Sequence, residues 1–188
     1  MIKIGITGSI ASGKSTASKI LSRKRGPLFS ADDIVNKFYK SVKFKKQLIK
    51  KFNIDKKTNF KNILKRQILR NKENIIKLEK IIHPMVRKEM RKFSYKNKDK
   101  KILFYEIPLL IENRLMKFFD LIIFIKAKKK IRKKRFKDRG GEEKLFHILN
   151  KKQLSESKKI KFSNHVVVND YNLVILKKKL LDIMEQYV

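Results

Sequence analysis

Apolar residues in this chain follow two patterns. Four runs are nearly continuous: Lys3 to Thr7, Ile102 to Ile107, Leu121 to Ile125 and Val166 to Val168. Their length and their β-branched and aromatic content predict strands. Because polar residues do not alternate through them, they read as strands buried on both faces, the habit of parallel sheets. A short fifth candidate, Leu28-Phe29, follows the turn signal Gly26-Pro27.

Between these runs the apolar positions recur at helical spacing. Strand and helix alternate, which predicts an α/β fold of three layers around a parallel sheet. The long stretch 34–99 holds no strand run. It carries Leu48, Ile49 and Phe52, then Ile63, Leu64, Ile68 and Leu69, then Ile75, Leu78, Ile81 and Ile82. This predicts a helical insertion between two sheet strands, large enough to form a lobe. Residues Ser94 to Lys101 read as a polar loop, and the lone His83-Pro84 pair reads as a turn or a helix cap. The segment Ala127 to Lys152 is dominated by charge and interrupted by Gly140-Gly141. Near the end, Leu176, Leu180, Ile183, Met184 and Tyr187 share one helical face, so a closing helix is expected. The expected organisation is a single domain, with 1–33 and 100–188 as its core and 34–99 inserted into it.

Composition narrows the class. At 188 residues and 41% hydrophobic, the chain can bury a core without disulfide or metal staples. Cysteine is absent, which excludes disulfides, thiolate zinc sites and cysteine nucleophiles. With no second His at metal spacing, no zinc site is expected. No window reaches the about 18 uninterrupted apolar residues of a spanning helix. No signal-peptide pattern opens the chain. A soluble cytoplasmic protein without a membrane partner is the expectation.

The formal charge of +34 raises the question of nucleic acid. Of the 51 basic residues, 41 are Lys and 10 are Arg, spread over nearly every segment. A face built for phosphate recognition favours the bidentate fork of Arg. The charge therefore reads as compositional bias and solvated surface, with no dedicated nucleic-acid partner expected. It still confers a general attraction for anionic ligands.

The strongest chemical signal is Gly8-Ser9-Ile10-Ala11-Ser12-Gly13-Lys14-Ser15, a full G-x-x-x-x-G-K-[ST] pattern followed by Thr16. It sits between a predicted strand and a predicted helix. In that context successive backbone N–H groups turn inward and a helix N-terminus faces an anion. Gly8 and Gly13 allow the main chain to wrap phosphate oxygens, Lys14 bridges the β- and γ-phosphates, and the Ser15 hydroxyl reaches Mg²⁺. The expected ligand is a nucleoside triphosphate with magnesium.

Other residues admit two readings. Asp32, in Ser30-Ala31-Asp32-Asp33, is either the carboxylate that orients an acceptor hydroxyl or part of an ordinary helix N-cap. Glu106, just before Pro108, is either a water-mediated Mg²⁺ carboxylate or a solvated strand end. Arg132, Arg135 and Arg139 either close over transferring phosphates on a segment hinged at Gly140-Gly141 or belong to solvated surface.

These pieces in this order resemble the dephospho-coenzyme A kinase family over essentially the whole chain. The match runs from Ile4-Gly5-Ile6-Thr7-Gly8 and Ser12-Gly13-Lys14-Ser15-Thr16 through Ala31-Asp32 and Ile82-His83-Pro84 with Glu89. It continues through Ile107-Pro108-Leu109-Leu110-Ile111-Glu112, Arg135, Arg139, Gln153, Lys159 and Val166-Val167-Val168-Asn169. The Pro-Leu-Leu-x-Glu block and the His-Pro pair distinguish this family from other P-loop kinases.

The resemblance implies a five-stranded parallel P-loop fold with a CoA-binding insertion at 34–99 and a lid at 128–150. It implies ATP-dependent phosphorylation of the ribose 3′-hydroxyl of dephospho-CoA. It assigns catalysis to Lys14, Asp32 and Arg139. Nucleotide binding falls to Gly8, Ala11, Ser12, Gly13, Ser15, Thr16, Arg135 and Asn169, with Asn169 near the adenine. Acceptor binding falls to His83, Pro108 and Leu109 beside Asp32, and the metal to Ser15 and Glu106. The chain departs from the family in carrying Ser30 for a frequent Asp, Ser9 and Ala11 for frequent glycines, and Glu106 for a frequent Asp. A monomer or small homo-oligomer is expected. The alternatives are another P-loop nucleoside or nucleotide kinase, a nucleic-acid-binding ATPase, and a GTPase switch, the last lacking any Asn-Lys-x-Asp motif.

Overall fold

The computed structural model describes residues 1–54, 63–64 and 71–187. Strands β1 (Ile2–Gly8), β2 (Leu28–Ser30), β3 (Ile102–Glu106), β4 (Leu121–Lys126) and β5 (His165–Val168) form one sheet. Their order is β2-β3-β1-β4-β5, and every neighbouring pair runs parallel. The expected fold class is therefore the observed one, and each apolar run became a strand.

Helices α1 (Lys14–Ser22) and α8 (Leu173–Met184) pack together over one face of the sheet. Ala17, Leu21, Leu176, Leu180, Ile183 and Met184 bury Ile4, Ile6, Phe104, Ile123 and Ile125 there. The opposite face carries Tyr105, whose ring meets Phe29 and Phe119. Gly5 points to that second face, where a Cβ would lie 2.7 Å from Leu110 Cδ1. The glycine thus lets the turn 108–115 lie directly on the central strand. Since β1 is flanked by β3 and β4, its carboxyl end opens at the point where strand order reverses, where open α/β sheets bind ligands.

The remaining helices of this unit follow β4. They are α5 (Lys129–Lys137), α6 (Glu143–Lys152) and α7 (Glu156–Lys161), with Gly140 at φ +77 between the first two. Only glycine takes that left-handed backbone without strain.

The chain divides into two compact units, 1–30 with 97–188, and 31–96. The second contains α2 (Ala31–Lys40), α3 (Val42–Phe52) and α4 (Lys72–Lys96). Phe44, Leu48, Phe52, Ile54, Leu64 and Leu78 form its core, with Phe38, Tyr39, Ile81, Ile82 and Met85 packed around. Asn53 closes α3 in the left-handed region at φ 48, and its N–H and that of Ile54 both reach back to the Ile49 carbonyl. Ile68 and Leu69, read above as helical, lie outside the described residues.

Two sequence expectations fail in this unit. His83-Pro84 is neither turn nor cap; both residues lie inside the 25-residue helix α4. Proline supplies no N–H to the helical ladder, but Pro84 lies on the exposed side, where water can serve the carbonyl one turn back. Nor is 94–101 all loop. The helix continues to Lys96, and the Ser94 hydroxyl donates back to the Met90 carbonyl at 3.0 Å.

Candidate active site

Strand β1 ends at Gly8 and helix α1 begins at Lys14, so the glycine-rich motif is the connection between them. Gly13 has φ +96, a left-handed conformation that disfavours a side chain. A Cβ there would also collide with the Asn169 amide, and a Cβ on Gly8 would strike the Ile125 carbonyl oxygen and the Ser12 hydroxyl. Both glycines are required by close approach. Ala11 adopts φ 55 without being glycine, which bends the loop between them.

The N-terminus of α1 is uncapped. Gly13 offers no side chain, and the first turn contains no acidic residue. Its orphan N–H groups and the positive end of the helix dipole are left for an anion. Helix α2, by contrast, carries Asp32 and Asp33 in its first turn. Lys14 is 8% exposed, and its ammonium donates to the Ser9 carbonyl at 2.9 Å. The same carbonyl accepts the Ser12 N–H at 3.1 Å.

The solvated reading of Glu106 does not hold. Its side chain is 4% exposed, taking the Ser15 hydroxyl on Oε1 at 2.5 Å and the Ser18 hydroxyl on Oε2 at 3.1 Å. A hydroxyl and a carboxylate in contact are hard oxygen donors of the kind that suits magnesium. Among the described residues no group of three or more His, Cys, Asp or Glu could hold a metal by protein ligands alone.

The remaining predicted residues are placed as follows. Thr16 follows Ser15 in the first turn of α1. Asn169 is buried just after β5, where its amide Nδ2 donates to the Ser12 carbonyl at 2.8 Å and its own carbonyl accepts Arg135 at 3.1 Å. Arg139 is exposed in the turn after α5. Pro108 and Leu109 are half-buried, and the Pro108 carbonyl accepts the Thr7 hydroxyl at 3.1 Å, tying the Pro-Leu-Leu turn to β1. In the helical unit, Asp32 occupies the second position of α2, immediately past β2, inside the first turn rather than at its cap. His83 is half-buried and lines an open depression of about 360 Å³ along α4 with Lys80 and Arg87.

Arg132 fits neither reading of the three arginines, being buried among protein partners. It is 4% exposed, and its guanidinium donates to the Ala127 carbonyl at 3.0 Å and to Asn150 Oδ1 at 2.7 Å, with Glu156 at 3.3 Å. Burial pulls the guanidinium below its usual pKa, and the Glu156 carboxylate opposes that.

Sequence reasoning did not assign four further residues. Ser18 is the second hydroxyl on Glu106. Gln153 and Glu156 contact the P-loop from far along the chain. Lys159 is fully buried with its ammonium 2.6 Å from Glu112 Oε1. Beyond that ion pair, neither Lys159 Nζ nor Glu112 Oε2 has a hydrogen-bond partner among the described residues. Only the i, i+3 spacing of Ser15 and Ser18 on α1 was visible locally.

Comparison with known proteins decides among P-loop kinases. The dephospho-CoA kinase family profile matches residues 2–174. The chain belongs to the dephospho-CoA kinase family. Among curated family members, the dephospho-CoA kinase of Fusobacterium nucleatum is 35% identical over 94% of this chain and 93% of its own. That of Bartonella quintana is 33% identical over 97% and 96%. The crystal structure of TT1252 from Thermus thermophilus superposes with a TM-score of 0.83 at 25% identity, covering 100% of this chain and 98% of that one. Shikimate kinase from Bacteroides thetaiotaomicron shares the fold at a TM-score of 0.56 and 12% identity, covering 98% and 97%.

Proposed function

We propose that this protein transfers the γ-phosphoryl group of ATP to the ribose 3′-hydroxyl of dephospho-CoA, giving coenzyme A and ADP. The observation that carries the reading is the uncapped P-loop with Ser15 seated on Glu106, in a chain that matches the dephospho-CoA kinase family almost end to end.

In this reading the loop amides and the Lys14 ammonium hold the β- and γ-phosphates. Ser15 and Glu106 would hold Mg²⁺, which would neutralise charge on the phosphate oxygens. Asp32 accepts the proton of the 3′-hydroxyl and aims it for in-line attack. Arg135 and Arg139 offset charge that develops on the transferring group, with Arg139 free to swing beside the Gly140 hinge. Asn169 fixes the loop edge near the nucleotide. His83, with Lys80 and Arg87 near it, and the Pro108-Leu109 turn receive the acceptor, whose phosphates suit a basic surface. The protein acts in the cytoplasm as a monomer or small homo-oligomer; among the described residues no helix is long and apolar enough to cross a membrane.

The test is to incubate purified protein with Mg·ATP and dephospho-CoA and weigh the product. One added phosphoryl group on the acceptor is expected, and turnover of nucleosides but not dephospho-CoA defeats the reading. Asp32→Asn is expected to lower kcat at least about 100-fold with Tm unchanged. Full turnover by that variant removes Asp32 from the mechanism.

A further inference from the structure

The outer turn of the P-loop is held by side chains that belong to neither the motif nor the lid arginines. Gln153 Oε1 accepts the Ile10 N–H at 3.0 Å, and Glu156 Oε1 accepts the Ser9 hydroxyl at 3.1 Å. Arg132 ties these contacts together, meeting Glu156 at 3.3 Å and the Ile10 carbonyl at 3.4 Å. Ser9 in turn supplies the carbonyl on which the Lys14 ammonium rests at 2.9 Å. A continuous path therefore runs from the α6–α7 connection through Ser9 to the cation that meets the phosphates. The far side of that connection is fixed as well, since the Leu154 N–H donates to Glu112 at 3.1 Å and Lys159 is ion-paired with the same carboxylate.

We infer that Gln153 and Glu156 are positioning residues of the nucleotide site, setting the Ser9–Ile10 turn and through it the Lys14 ammonium. They act on the loop rather than on ATP. A carboxylate in direct contact with a triphosphate would repel it, whereas Glu156 is occupied by Ser9 and Arg132. Ser9, standing where the family often has glycine, is what gives Glu156 a hydroxyl to grip. The inference rests on the P-loop binding ATP as proposed above.

The test combines Mg·ATP binding by calorimetry with steady-state kinetics on dephospho-CoA. The wild-type chain measured alongside shows whether the proposed activity itself holds, so that failure is separate from failure of this inference. Gln153→Ala is expected to weaken Mg·ATP binding and raise the KM for ATP roughly five- to tenfold, the loss of one hydrogen bond. The KM for dephospho-CoA should stay within twofold. Gln153→Glu keeps an acceptor for the Ile10 N–H and should recover most of the loss. In a double-mutant cycle, Ser9→Ala and Glu156→Ala should be non-additive in Mg·ATP affinity, because each removes the same contact. Unchanged ATP affinity in Gln153→Ala, equal rises in both KM values, no recovery in Gln153→Glu, or strict additivity in the cycle overturns the inference. Should Gln153→Ala not fold, the Ser9 and Glu156 cycle decides alone.

Discussion

The two compact units of this molecule are held by different forces. In the unit 31–96 the described interior is a cluster of aromatic and aliphatic side chains, Phe44, Leu48, Phe52 and Leu78 among them, packed from α2, α3 and α4. The sheet unit has an apolar core too, but its working end adds buried and part-buried polar ties across long stretches of chain. Ser15 to Glu106 spans 91 residues, Ser12 to Asn169 spans 157, and Ser9 to Glu156 spans 147. Apolar packing tolerates small shifts, because dispersion and burial are not directional. Buried hydrogen bonds and ion pairs do not tolerate them, since an unmatched polar group keeps its full desolvation cost. A loop that must meet phosphate within a fraction of an ångström is thus built from the stiffer kind of contact.

The comparison can be broken at several points. The largest effect is expected at Lys14→Ala, where loss of the ammonium should cut kcat/KM about 1,000-fold while the urea midpoint moves little. A comparable fall in the midpoint would mean that Lys14 holds the loop together rather than serving chemistry. Next is Lys159→Met, which leaves Glu112 without its buried partner and should cost about 3–5 kcal/mol by urea unfolding. The double variant Lys159→Met with Glu112→Leu should recover most of this. Leu48→Ala, at a fully buried site in the helical unit, should cost about 2–4 kcal/mol from transfer and cavity terms. It should leave Mg·ATP affinity of the folded protein unchanged. An altered affinity there would break the contrast between the two cores.

The smallest effect concerns pH. Glu143 at the start of α6 lies below its ordinary value of 4.5, chiefly through a hydrogen bond from Lys133 and secondarily from His147. A depressed carboxylate stabilises above its unfolded pKa, so this clip across Gly140-Gly141 is intact at neutral pH. It is lost as pH falls below about 4.5 through the lower folded value. Amide exchange at the start of α6 should quicken in that range, and Glu143→Gln should abolish the pH dependence.

The same contrast explains what could be read from the chain alone. The three central strands were legible because both faces are buried, so runs such as Leu121 to Ile125 need no polar partner to be recognised; β5, read as buried too, is an edge strand with Val166 exposed. Gly8, Gly13, Lys14 and Ser15 were legible because the phosphate cradle is local. Glu106 was not resolved by sequence, because the hydroxyls that bury it come from α1. Gln153 and Lys159 entered only through the family resemblance, without a role, and Glu156 not at all, since their partners are brought to them only by the fold. In the helical unit the error had another source. His83-Pro84 looked like punctuation, but an exposed proline removes one hydrogen bond, and the apolar stripe through Leu78, Ile81, Ile82 and Met85 outweighs that loss.

The register of the central strand has a consequence for how the molecule comes into being. Ile2 pairs with Ile102, and Ile4 pairs with both Phe104 and Leu121. Strand β1 thus leaves the ribosome long before either of its neighbours, β3 or β4, has been made. Contacts so distant along the chain make for slow acquisition of structure. The nucleotide cradle, hung from the end of that strand, must be among the last parts to take shape, and a nascent chain stalled before β3 would display an unpaired apolar ribbon for chaperones to shield.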